Sequence, residues 1–106
     1  DKDLLKENVE VATYGEIVMA RSGNFVGESG FADTAPTGLA LIVDILKNGT
    51  TIYSTSPRFA ISSQTMTAGT ISSGSFVAGD RITFRIVQIG SGNNGQGVRF
   101  TLRGSV

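Results

Sequence analysis

The chain is 106 residues long, with nine basic and nine acidic side chains and no cysteine, histidine or tryptophan. A chain of this length makes one domain with one small core, burying roughly two thirds of the surface its unfolded form exposes. Without imidazole or thiol, Ser-His-Asp and Cys-His catalysis and the usual zinc sites are excluded, so the expectation is a protein with no enzymatic activity, cofactor or metal.

Glycine, serine and threonine are abundant and only 40% of residues are apolar, a composition suited to short strands and tight turns. No apolar run approaches the roughly 20 residues that cross a bilayer, and no basic-then-apolar signal segment opens the chain, so membrane insertion is not expected. The chain starts at Asp1 rather than at a methionine, as a processed or excised piece would. Its zero net charge argues against nucleic acid as a partner, because backbone binding needs a basic face. The charge is uneven: residues 1–53 carry eight acids and four bases, and residues 54–106 carry five arginines and only Asp80. Such halves complement each other either by interleaving in one fold or by meeting between subunits.

In chain order, residues 1–12 form a charge-dense arm or linker, with Leu4, Leu5 and Val9 at spacings one side of a helical turn could hold. A frayed terminus and the end of an upstream helical stalk are both compatible with that pattern. Residues 13–106 form the folded domain. Weaker strand candidates cover Glu16 to Arg21, Asn24 to Val26, Arg58 to Ser62 and Thr70 to Val77, with short pairing possible at Val9 to Ala12. The clearest first strand holds Leu39, Leu41, Val43 and Ile45 on one face. It runs into Asn48-Gly49, the strongest short hairpin signal, which sets Ile45 opposite Ile52 and Asp44 opposite Tyr53. The other face, Ala40, Ile42, Asp44 and Leu46, is too apolar to be solvated and is expected to be covered by a neighbour.

Ile82, Phe84 and Ile86 alternate inward with Arg81 and Arg85 outward, and the phase slips at Val87, which predicts a β-bulge near Ile86 and Val87. Val98, Phe100 and Leu102 are the inward set of the last strand, with Arg99, Thr101 and Arg103 outside. These patterns make Leu41, Val43, Ile45, Phe84, Ile86, Phe100 and Leu102 the expected core. Turn signals every 8 to 12 residues then predict an all-β fold, a single antiparallel sandwich or barrel of seven to eight strands.

Gly90-Ser91-Gly92-Asn93-Asn94-Gly95 matches the dinucleotide pattern letter for letter. That motif needs a helix N-terminus after it to hold the pyrophosphate, whereas Gln96-Gly97-Val98-Arg99-Phe100 alternates like a strand. The run is therefore expected to be a flexible hairpin loop. Ser91, Asn93, Asn94 and Gln96 make it a candidate contact loop for a sugar or a partner chain. Carboxylate pairs such as Glu16 with Glu28, or Asp33 with Asp44, would suit glycoside hydrolysis only at the right separation, and any domain with nine acids offers such pairs. No lysine lies in a serine motif, and the Asn48-Gly49-Thr50 sequon is accounted for by the hairpin. Arg81, Arg85, Arg99 and Arg103 are expected on the outer face of a final hairpin. There they form either a solvated face or, with Ile42, Asp44 and Leu46, an ion-pair seam between subunits.

Four stretches carry a resemblance: Pro36-Thr37-Gly38; Val43-Asp44-Ile45-Leu46-Lys47-Asn48-Gly49-Thr50-Thr51-Ile52-Tyr53-Ser54; Phe76-Val77-Ala78-Gly79-Asp80-Arg81-Ile82-Thr83; and Gln88-Ile89-Gly90-Ser91. Together they span about residues 36–103 and resemble a module found repeatedly in tailed-bacteriophage virion proteins. The resemblance implies a jelly-roll β-sandwich on the phage particle surface and carries over no catalytic residue. It implies a fibre or spike domain contacting a host glycan or protein, assembled as a homo-oligomer, with a trimer favoured because fibres and spikes are usually threefold. A capsid decoration protein binding the shell, and more distantly a carbohydrate-binding module, are the alternatives.

Overall fold

A computed structural model describes residues 11–105, so most of the predicted arm lies outside the described residues. The described residues hold strands and no helix: β1 (Ala12–Val18), β2 (Gly23–Phe31), β3 (Leu41–Lys47), β4 (Thr50–Thr51), β5 (Tyr53–Thr55), β6 (Arg58–Phe59), β7 (Met66–Thr67), β8 (Thr70–Ile71), β9 (Ser75–Phe76), β10 (Arg81–Gln88) and β11 (Arg99–Ser105). All pairings are antiparallel. One sheet runs β1-β10-β3-β6-β7 with β4 also on β3, a second runs β11-β2-β9, and β5 pairs with β8. The fold is an all-β antiparallel sandwich. Its partners are nested, β2 with β11, β3 with β10, β5 with β8 and β6 with β7. Among the described residues there are eleven strands rather than seven or eight, because bends divide residues 50–76 into pieces of two or three residues.

The Asn48-Gly49 hairpin forms as its chemistry requires. Lys47 pairs with Thr50, and Asn48 and Gly49 have φ of 52° and 89°, the positive values both central positions of a type I′ turn need. The Ile52 N–H donates to the Ile45 carbonyl at 3.0 Å, so Ile45 does face Ile52. Asp44 does not face Tyr53. The chain bends at Ile52, Tyr53 pairs with Ile71, and β6 takes the place beside β3. Ile52 and Tyr53 are consecutive and both buried, whereas a straight strand would send them to opposite faces. The bulge at the end of β10 is present: Ile86 pairs with Val43, and the next partners are Gln88 and Ile42.

β10 and β11 are not a hairpin. β10 lies between β1 and β3, while β11 pairs with β2 in the other sheet. Hence Arg85 stands opposite Asp44 and Thr13, and Arg99 and Arg103 stand opposite Phe31 and Gly27. The ten residues between these strands cross from one sheet to the other, a span no tight turn makes.

The core has two clusters. Ala32, Leu41, Val43, Phe59, Ile86 and Val98 form one, and Phe25, Ile45, Ile52, Tyr53, Phe76 and Ile82 form the other. Phe84, Phe100 and Leu102, expected as core, are half-buried and pack against these clusters, with Phe84 and Phe100 ring centroids 5.6 Å apart. Leu39 precedes β3 and is 47% exposed, so it does not share the inward face of Leu41. β2 reads poorly as a strand because a register shift lies between the Gly27 and Phe25 partners on β11. The shift changes the alternation, so that Phe25 and Glu28 both face inward.

Candidate functional site: assembly face and contact loop

Ile42, Asp44 and Leu46 lie on the outer face of the larger sheet and are half-buried, with Arg81 and Arg85 exposed beside them on β10. The Thr51 hydroxyl donates to Asp44 Oδ1 at 2.5 Å. Arg99 and Arg103 are exposed on the outer face of the opposite sheet, so the four arginines do not form one patch. The acidic and basic halves of the sequence already meet within the chain. Arg99 Nη2 lies 2.8 Å from Asp33 Oδ1, and its guanidinium sits 5.6 Å from the centroid of the Phe31 ring. An open depression of about 320 Å³ lies here, lined by Ser29, Gly30, Phe31, Arg99, Phe100 and Thr101. The suggested carboxylate pairs are separated by the fold. Glu16 faces outward on β1 and Glu28 inward on β2, while Asp33 is held by Arg99 and Asp44 by Thr51.

The glycine-rich run is tied to the segment before β3. Thr37 N–H donates to the Asn93 carbonyl at 3.0 Å, Gly92 N–H to the Thr37 carbonyl at 3.0 Å, and Asn93 N–H to Thr37 Oγ1 at 2.7 Å. Thr34 and Gln96 bridge through both backbone and side chains. Ser91 and Asn93 remain exposed, whereas Asn94 and Gln96 are half-buried, so the tether leaves part of the proposed contact loop open. The first glycine of the pattern is there for close approach: a Cβ on Gly90 would lie 1.9 Å from the Asn93 carbonyl oxygen and 2.9 Å from the Thr37 backbone. Gly90→Ala is expected to cost about 1–3 kcal/mol through forced backbone displacement. A melting curve unchanged from the parent would show that the tether gives way freely.

A second clamp joins the two turns at the opposite end of the β3–β10 pair. Asn48 N–H donates to the Arg81 carbonyl at 2.8 Å, Arg81 N–H to Asn48 Oδ1 at 2.9 Å, and the Asn48 amide to Asp80 Oδ1 at 3.0 Å. The Val77 N–H, donated to Asp80 Oδ2 at 2.9 Å, and then the Asn48 amide hold the exposed Asp80 carboxyl below the usual carboxylate range, with a smaller contribution from the Lys47 charge. A carboxyl lowered on folding stabilises the native state above its unfolded pKa, and that contribution is lost as pH falls through the folded value. Asp80→Asn should therefore flatten the loss of thermal stability expected below about pH 4. Parallel acid-limb melting profiles for parent and variant would refute the role given to Asp80.

One polar site escaped the sequence reading. Glu28 is 4% exposed; its carboxylate accepts from the Tyr53 hydroxyl and, at 3.2 Å, from the Gly69 N–H. A lone glutamate between glycine and serine carries no signal of burial, and the register shift that turns it inward is visible only once β2 is paired.

Comparison with protein-family models, curated proteins and solved structures finds no match for this chain. Among the described residues, no group of three or more acidic, cysteine or histidine side chains is placed to hold a metal, and no helix is long and apolar enough to cross a membrane.

Proposed function

We propose that this chain is a non-enzymatic structural module of a tailed-phage virion, an oligomeric fibre or spike domain, trimeric by preference, that contacts the host surface. The observation that carries the reading is the pairing of its four phage-like motifs in space. The Asn48 turn binds the Asp80 turn at one end of the β3–β10 pair, and Thr37-Gly38 packs on Gly90 to Asn93 at the other. That these stretches, far apart in sequence, clamp one strand pair at both ends supports reading them as parts of one scaffold rather than as a catalytic site. On this reading the partners are copies of the chain, other virion proteins and a host glycan or protein.

Antibody labelling of intact particles from the phage that encodes the chain tests this. Gold at fibre or spike ends is the expected result. Even labelling of the capsid shell would move the module to shell decoration, and particles without the chain would overturn the virion reading.

A further inference from the structure

An asparagine followed by glycine is prone to lose its side-chain amide, because no side chain on the glycine hinders attack by its nitrogen on the carboxamide. At Asn48-Gly49 that attack has the Gly49 nitrogen give up its proton and bond to Asn48 Cγ, while the Cγ–Nδ2 bond breaks and ammonia leaves. Water then opens the five-membered imide at either carbonyl. The product is an aspartyl residue or an isoaspartyl one, whose main chain runs through the side-chain carbon, so one water enters and one ammonia leaves. The chain holds the dipeptide twice, at Asn48-Gly49 and at Asn94-Gly95. Asn48 and Gly49 are both exposed, and a Cβ on Gly49 would meet nothing within 4 Å. Burial therefore gives Asn48 no protection.

Its hydrogen bonds do protect it. Asn48 Nδ2 donates to Asp80 Oδ1 at 3.0 Å, and Asn48 Oδ1 accepts from the Arg81 N–H at 2.9 Å. Ring closure turns the carboxamide about its Cβ–Cγ bond and expels Nδ2, so it works against both bonds. The acceptor is itself fixed. Asp80 Oδ2 takes the Val77 N–H at 2.9 Å, the Asp80 carbonyl takes the Met19 N–H at 2.9 Å, and the Gly79 N–H donates to the Met19 carbonyl at 2.8 Å. The type I′ turn, with φ of 52° and 89°, holds the main chain on either side of the reacting atoms. We propose that Asn48 is a masked deamidation site, whose amide survives while the two turns are joined and is lost irreversibly when the clamp opens. The product does not remake the clamp. A carboxylate there has no proton to donate to Asp80 Oδ1 and sets a second negative charge where the amide stood at 3.0 Å. The isoaspartyl form also adds a main-chain carbon, so the Lys47–Thr50 pairing would have to close a longer loop than a type I′ turn spans. Each loss therefore keeps the clamp open. This chemistry does not depend on where the module sits on a virion or on whether copies of it assemble.

The test incubates the full chain at mildly alkaline pH, folded in buffer and unfolded in guanidinium chloride, and follows amide loss at each asparagine by peptide mass spectrometry. Asn48 is expected to lose its amide about thirtyfold more slowly in the folded chain than in the unfolded one. Asp80→Ala removes the acceptor of the Asn48 amide and should speed the folded-state loss at Asn48 about fivefold, with Asn94 unchanged. Parent protein deamidated at Asn48 should also melt below the intact protein. Equal rates for folded and unfolded parent overturn the proposal without recourse to a variant. A folded Asp80→Ala chain whose Asn48 rate matches the parent's overturns it as well. If Asp80→Ala speeds Asn48 and Asn94 alike, general opening of the domain governs the reaction rather than the clamp, and the proposal falls. Identical melting of deamidated and intact protein overturns the claim that the lesion keeps the clamp open.

Discussion

Phe59→Ala is expected to lower the unfolding free energy by about 3–5 kcal/mol, most of what a domain this size holds. Phe59 is fully buried and heads the largest enclosed side chains of the core. It sits on a strand of only two residues, opposite Leu41 on one side and Met66 on the other. Its ring also packs against the backbone of the other sheet, because a Cβ on Gly30 would lie 3.2 Å from it. With walls on both sheets, the void left by truncation cannot collapse by moving one side chain. Phe84→Ala and Phe100→Ala should cost less than Phe59→Ala, since both rings are only half-buried. Urea denaturation of the three variants measures the order directly, and an unchanged midpoint for Phe59→Ala would show that β6 does not contribute to the core.

The contrast between Phe59 and Phe84 marks what the sequence can and cannot disclose. Long alternating runs announce their inward faces, so Leu41, Val43, Ile45, Ile82 and Ile86 were legible and are buried. So were the type I′ turn at Asn48-Gly49 and the bulge after Ile86, because each leaves a local chemical mark. Phe59 and Phe76 lie in two-residue strands, too short for any period to show, and are buried by distant partners. Strand neighbours were illegible for a related reason. Two clean alternating strands separated by a glycine-rich run look like a hairpin, and only the pairing of β10 with β3 and of β11 with β2 reveals that the run crosses between sheets. The candidate interface suffered most, since its arginines share a pattern in sequence but are divided between two sheets.

Tyr53→Phe should cost about 1.5–3 kcal/mol, more than an ordinary lost hydrogen bond, because the acceptor left behind is a buried carboxylate. Glu28 projects from β2 toward β5, and its two described donors are the Tyr53 hydroxyl and the Gly69 N–H. Removing the hydroxyl leaves Glu28 with the Gly69 N–H alone. Glu28→Gln should cost less than Tyr53→Phe, since the amide oxygen still accepts and carries no charge to desolvate. The double variant should then be less destabilised than the sum of the singles, because the hydroxyl has less to lose once the charge is gone. Alkaline pH supplies an independent reading. Burial, then the hydrogen bond to Glu28 and its negative charge, push the Tyr53 phenol well above its ordinary value. The folded protein therefore keeps that proton where the unfolded chain gives it up, so this contribution is complete below about pH 10 and is lost as pH rises further. Tyr53→Phe should melt lower at neutral pH and lose part of the decline on the alkaline side. An alkaline limb as steep in the variant as in the parent would show that Tyr53 does not hold its proton against the Glu28 carboxylate.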